Sequence, residues 1–114
     1  MSPANMLVKS VNPVLDSPFA LIGIGNSFVC KVDPDDYEWL TRFKWYAKKS
    51  AYRWYAARKI LINHTPHLLL MHRLIAQTPP GMICHHINGD SLDNRRANLQ
   101  NMSEFDHIQM HSYR

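Results

Sequence analysis

Residues 84–111, CHHINGDSLDNRRANLQNMSEFDHIQMH, restrict the folds open to this chain more than any other stretch. The segment opens on adjacent imidazoles, His85 and His86, and closes on His107 and His111, four residues apart. Gly89 suits a reversal that needs positive φ. Asn94 and Asn98 are short amides able to bond a loop backbone. Leu99–Met102 reads as a return strand. Ser103 is a plausible N-cap, with Glu104 and Asp106 in the first turn of a helix over 104–111. His107 and His111 then share one helix face. A regular strand would send His85 and His86 to opposite faces, so a bend or twist is needed for both to border one cleft.

Upstream the signals are local. Residues 1–18, with Pro3, Pro13 and Pro18 and no hydrophobic period, read as an N-terminal arm. FALIGIGNSFVCKV reads as two short strands around a turn at Gly25-Asn26. Asp33 offers an N-cap and Pro34 a first helical position, so DPDDYEWLTRF is expected to be a short helix. Its acids suit the positive end of the helix dipole, and no catalysis is assigned to them. KWYAKKSAYRWYAARKI reads as a hairpin turning near 48–51. Its aromatics, Trp45, Tyr46, Tyr52, Trp54 and Tyr55, are expected mostly in the core, with the interleaved basic residues on the other face. His64 and His67 flank Pro66 in an expected turn and carry no role. Leu68–Met71 reads as a strand, followed by a helical turn from His72 that Pro79-Pro80-Gly81 ends.

A chain of 114 residues suits one domain, and 46% hydrophobic against 19% charged residues marks it as globular rather than disordered. No apolar run reaches membrane-spanning length, and the N-terminus lacks the pattern of a secretory signal. Cys30 and Cys84 form no C-x-x-C pair and no disulfide framework, so a reducing, cytoplasmic setting is expected. Net charge is +4, and its distribution says more than its sum. No Asp or Glu lies between Glu38 and Asp90, while Arg42, Lys44, Lys48, Lys49, Arg53, Arg58, Lys59 and Arg73 do. That points to a polyanionic partner, with Lys44, Lys48, Lys49, Arg53, Arg58 and Lys59 as the expected DNA contacts.

The ordered series His72-Arg73-Leu74, His86-Ile87-Asn88-Gly89-Asp90, Asp93-Asn94-Arg95, Asn98-Leu99 and His107 resembles the HNH endonucleases of the ββα-metal type. It is closest to the small phage and intron-encoded, homing-endonuclease-like subset. The upstream VDPDDYEWLTRFKWYA also resembles the segment that precedes the nuclease core in such proteins. The resemblance spans about residues 28–111 and is densest over 72–107. It implies an α+β chain: a basic, aromatic, β-rich DNA-binding region with a short helix over 19–71, then a nuclease core over 72–114. It further implies a monomer or weak dimer that nicks duplex DNA, leaving 5′-phosphate and 3′-hydroxyl ends.

The same resemblance assigns roles. His86 takes the general-base position and Asn98 the position of the amide that pins the loop, the two forming the catalytic set. His85 and His107 take the positions that hold one divalent metal ion. Many relatives carry Asp at the His85 position. Two imidazoles in place of an Asp–His pair favour Mn, Ni, Co or Zn over Mg. His111, Arg95, Arg96, Arg73 and His72 are candidates to touch phosphate or to stand behind the ligands, and His72 within LMHRL also reads as a structural histidine. Two other readings remain open. Cys84, His85, His107 and His111 can be written as a structural zinc set, and the basic stretch permits a catalytically silent DNA-binding protein.

Overall fold

The computed structural model describes residues 18–111, with side chains through Ile108; the expected arm over 1–18 falls, but for its last residue, outside the described residues. The chain is a small α+β protein. Strands β1 (Ala20–Ile24) and β2 (Phe28–Val32) form an antiparallel hairpin. Helix α1 (Pro34–Leu40) follows, then the antiparallel strands β3 (Tyr46–Ser50), β4 (Arg53–Ile62) and β5 (Thr65–Leu70). Helix α2 (Met71–Ala76) leads into β6 (Met82–His86). A long loop with one 3₁₀ turn returns as β7 (Leu99–Ser103), and α3 (Glu104–His111) ends the described chain. Among the described residues no helix is long and apolar enough to cross a membrane.

The hairpin behaves as its alternation dictates. Ile22 and Ile24 on β1 and Cys30 and Val32 on β2 face one way and are buried. They pack with Leu40 of α1, Trp45, Ala56 of β4, and Met71 and Ile75 of α2 in one core. Trp45 buries its ring and donates its indole N–H to Leu40 O at 2.9 Å, so its polar edge is satisfied. Burial pushes the Cys30 thiol up to about 12, and Cys30 and Cys84 are both free thiols.

The three-stranded sheet departs from the sequence reading in two ways. The chain turns at Ala51-Tyr52, and a second two-residue turn at Asn63-His64 adds β5, which already contains Pro66 and His67. Asn63 and His64 both have positive φ, the backbone that matches the twist of a two-residue hairpin. Of the hairpin aromatics only Trp45 is core. Tyr52 is 96% exposed at a turn, and Tyr46, Trp54 and Tyr55 are half-buried. Trp54 packs on Phe28 of β2, and Tyr55 stacks on His72 of α2. One face of the sheet carries Lys48, Arg53, Tyr55 and Lys59, while Lys49, Trp54, Ala56 and Arg58 take the other.

The β6–β7 pair lies between two helices. Cys84 and His86 face α2, whereas His85 faces α3. The cross-links bear this out: Asn101 donates to Ala76 O, Thr78 Oγ1 donates to Asn101 Oδ1, and the His85 ring lies beside His107. Ser103 caps α3 as expected, its Oγ accepting from Asp106 N at 3.0 Å. Asp33 does not cap α1. Its carboxylate instead accepts from Arg96 N, 63 residues away.

The loop between β6 and β7 is stitched to the first half of the chain. Lys31 N donates to Leu92 O at 2.8 Å and Asn94 N to Lys31 O at 2.7 Å, extending β2 by a parallel bridge to Asp93. The regions on either side of residue 71 therefore share both a core and a backbone ladder.

Candidate functional site

A cleft of about 840 Å³ opens between the sheet face that carries Lys48, Arg53 and Tyr55 and the end of β6. Lys48, Arg53 and Tyr55 line one wall, and His85, His86 and His107 the other, with His72 at its floor. The adjacent histidines do point to opposite faces of β6. They border one cleft because β6 ends there.

Each histidine of the pair finds a partner from a different element. His86 is buried and its Nε2–H donates to Asn94 Oδ1 at 2.8 Å. In the neutral ring that leaves Nδ1 as the acceptor. Burial pushes the His86 pKa down; Asn94, Asp90 and Asp93 oppose that, and the Arg53 charge adds to it, so the ring favours its neutral form. His85 and His107 are half-buried, with ring centroids 5.7 Å apart in an edge-on arrangement. Two imidazoles sharing one ion through bonds of about 2 Å have ring centres roughly 5 Å apart. The pair therefore fits a single divalent ion with small side-chain adjustment. Among the described residues no group of three or more His, Cys, Asp or Glu side chains is placed to hold a metal. An ion on His85 and His107 would keep open positions. The side chain of His111 lies outside the described residues.

The loop beneath is an amide lattice. Asn98 is fully buried; its Oδ1 accepts from Asn88 N at 2.8 Å and its Nδ2 donates to Asp93 O at 2.8 Å. Asn88 Nδ2 donates to Asp93 Oδ2, and Asn88 Oδ1 accepts from Asp90 N. Asn98, expected in the catalytic set as the amide that pins the loop, bonds the loop backbone on both sides and is fully buried. Asn94, read from the sequence as a second backbone-bonding amide, contacts the His86 ring instead. Only its place ahead of Arg95 in the DNR triplet could have singled it out.

The arginines expected as phosphate contacts each hold a partner within the protein. Arg95 is 1% exposed and chelates the Asp93 carboxylate through Nε and a terminal nitrogen at 2.8 and 2.6 Å. Arg96 makes a bidentate pair with Asp36 of α1 at 2.9 and 2.8 Å. Both carboxylates lie below their usual pKa for this reason: the Arg96 hydrogen bonds hold Asp36 down, and at Asp93 the tendency of burial to raise the value is overcome by Arg95 and Asn88. Arg73 donates to Met82 O and Pro79 O, pinning the turn before β6. Among the six basic residues expected on DNA, the sheet divides the set. Lys48 and Arg53 line the cleft, and Lys59 follows on the same face beside Leu68. Lys49 lies over Trp54 and Arg58 over Phe43 on the opposite face, and Lys44 borders a separate groove with Phe43 and Trp45.

The closed zinc arrangement is not formed. Cys84 and His85 occupy opposite faces of β6, and the Cys84 thiol is directed at His72 O, 3.7 Å away. Cys84→Ser keeps a donor for His72 O. It is expected to fold and to bind metal like the parent, at a cost of about 1–2 kcal/mol for burying a more polar group. Calorimetric metal titration of both proteins checks this.

Against known proteins, the sequence matches no family model, and no curated protein or solved structure matches the chain.

Proposed function

We propose that this protein is a metal-dependent endonuclease of the HNH type that nicks duplex DNA, with β6, β7 and α3 as a ββα-metal core. The observation that carries the proposal is the separation of two imidazole sets at the end of one strand. His86 is oriented by Asn94 and kept neutral by burial, while His85 and His107 lie together on the other side of β6. Both sets open on the same basic cleft. A neutral, oriented imidazole is what a general base requires, and a metal-binding pair a few ångströms away is what a phosphodiester requires.

Lys48 and Arg53 meet the phosphates of one strand across the cleft, and Lys59 extends that track. Arg53 also donates to Gly89 O, which ties the phosphate-facing wall to the loop that carries the base. His86 takes a proton at Nδ1 from a water molecule whose oxygen attacks the phosphorus. The bond to the 3′ oxygen breaks, and that oxygen takes up a proton from solvent. A divalent ion held by His85 and His107 supplies, when bound, a Lewis acid for the charge on the phosphate and the departing oxygen. Asn98 and the Asp93–Arg95 pair hold the loop and do not touch the reacting atoms. A single site per chain gives nicked rather than linear product from a monomer.

Supercoiled plasmid incubated with the protein and a panel of divalent ions tests this. Nicked circles are expected with Mn²⁺, Ni²⁺ or Co²⁺, and fewer with Mg²⁺, because nitrogen ligands favour the later ions. Removing either nitrogen, as His85→Ala or His107→Ala, should weaken metal dependence at least tenfold on the scale of lost ligand support. Equal or better cleavage in Mg²⁺ alone counts against His85 as a ligand, and no nicking with any ion removes the proposal.

A further inference from the structure

The site contains a ring cluster that the reaction as derived does not use. His72, at the start of α2, is buried with its ring centroid 4.7 Å from that of His86. Tyr55, from β4, stacks on His72 at 5.4 Å with an interplanar angle of 26° and reaches His86 at 6.2 Å. Three elements far apart in sequence thus deliver three rings to one point of the cleft. Building on the endonuclease reading, we propose that His72 and Tyr55 are positioning residues that hold the plane of the His86 ring against the attacking water.

The reason is geometric. The hydrogen bond from Nε2 to Asn94 fixes one point of the imidazole and leaves the ring able to tilt about it. The tilted rings of His72 and Tyr55 beside it restrict that freedom, and a displacement of one ångström at a reacting group costs roughly 100-fold in rate. The stack also remains uncharged. Burial, with the charges of His86 and Arg73, pushes the His72 pKa down to about 3, so His72 does not compete with His86 for protons at neutral pH. His72 meets His86 as a tilted ring, with 40° between the planes, and the hydroxyl of Tyr55 is not needed for its stack on His72.

The test separates ring from bulk. Single-turnover nicking of supercoiled plasmid in Mn²⁺ is compared for the parent, His72→Phe, His72→Leu, Tyr55→Phe and Tyr55→Leu, with DNA affinity and melting temperature measured alongside. The leucine variants keep apolar volume without a ring and are expected to lose roughly 100-fold in rate with unchanged DNA affinity. The phenylalanine variants are expected to recover most of that loss. In a His86→Ala background, His72→Leu is expected to add nothing, because its effect passes through the base. Leucine variants that nick at the parental rate overturn the proposal, and so do phenylalanine variants as slow as the leucine ones. A full further loss in the His86→Ala background also overturns it, since that marks a structural role. If a His72 variant fails to melt cooperatively, the Tyr55 pair decides alone by the same criteria. A parent chain that nicks nothing fails the endonuclease reading itself, an outcome distinct from each of these.

Discussion

His86→Ala is expected to abolish nicking of supercoiled plasmid while leaving DNA affinity unchanged. General-base catalysis by a positioned side chain contributes about 10²–10⁴-fold, and the loss should fall in that range. The affinity should survive because Lys48 and Arg53, the groups proposed to meet phosphate, stand on the opposite wall and do not contact His86 by a hydrogen bond. The fold should survive as well. His86 ends β6, where its backbone pairs with Leu99, and alanine keeps that register. The removed ring leaves Asn94 Oδ1 without its donor, a cost of about 1–3 kcal/mol. Plasmid nicking, a filter-binding titration and a thermal melt on the same preparations check the three statements. A variant that nicks within a few-fold of the parent would dismiss His86 as the base and return the site to a DNA-binding role.

What could be read in the sequence divides along physical lines. The β6–loop–β7–α3 order was legible because its signals are local. Gly89 adopts φ of 81°, Ser103 caps a helix whose first turn is acidic, and a short return strand with Leu99 and Met102 sits between them. The β1–β2 hairpin was legible for the same reason, with Gly25 at φ 66°. The two-residue turn at Asn63-His64 was not. It has positive φ at both positions without a glycine, and Pro66 argued against a strand that is tolerated only because β5 is a sheet edge.

Partnerships across long separations were the least legible. Nothing near Arg96 announces that Asp36, 60 residues earlier, will take its guanidinium. Asp33 and Asp36 satisfied local helix-start rules, which concealed their use as anchors for the distant loop. The basic residues of β3 and β4 could be counted, yet which of them share the cleft face depended on where the turn fell. A shift of one residue exchanges the faces. The ring cluster of Tyr55, His72 and His86 was invisible for a similar reason, since each ring is carried by a different element.

The largest expected effect on stability is that of Asp93→Ala, about 3–5 kcal/mol, as found when one partner of a buried ion pair is removed. Asp93 and Arg95 are each 1% exposed and joined at 2.6 Å. Without the carboxylate the buried guanidinium loses its bidentate acceptor, and Asn88 Nδ2 loses its acceptor as well. By contrast the Asp36–Arg96 pair is 57% exposed on the arginine side, so Asp36→Ala should cost much less through screening by water. Replacing both members of the buried pair, as Asp93→Leu with Arg95→Met, should recover part of the loss, because the buried guanidinium is removed together with its acceptor. The pH dependence has a definite sign. The folded-state pKa of Asp93 is depressed, so its contribution is fully present above the unfolded value of about 3.9 and is lost as pH falls through the lower folded value. Urea unfolding at pH 7 and pH 3 should therefore show a large gap between parent and Asp93→Ala at the higher pH. The gap should narrow at the lower one, where Asp93 of the parent begins to take up a proton and its bidentate pair with Arg95 weakens. A gap independent of pH would assign the loss to packing rather than to the charge pair, and would make the loop's rigidity a matter of its amide lattice alone.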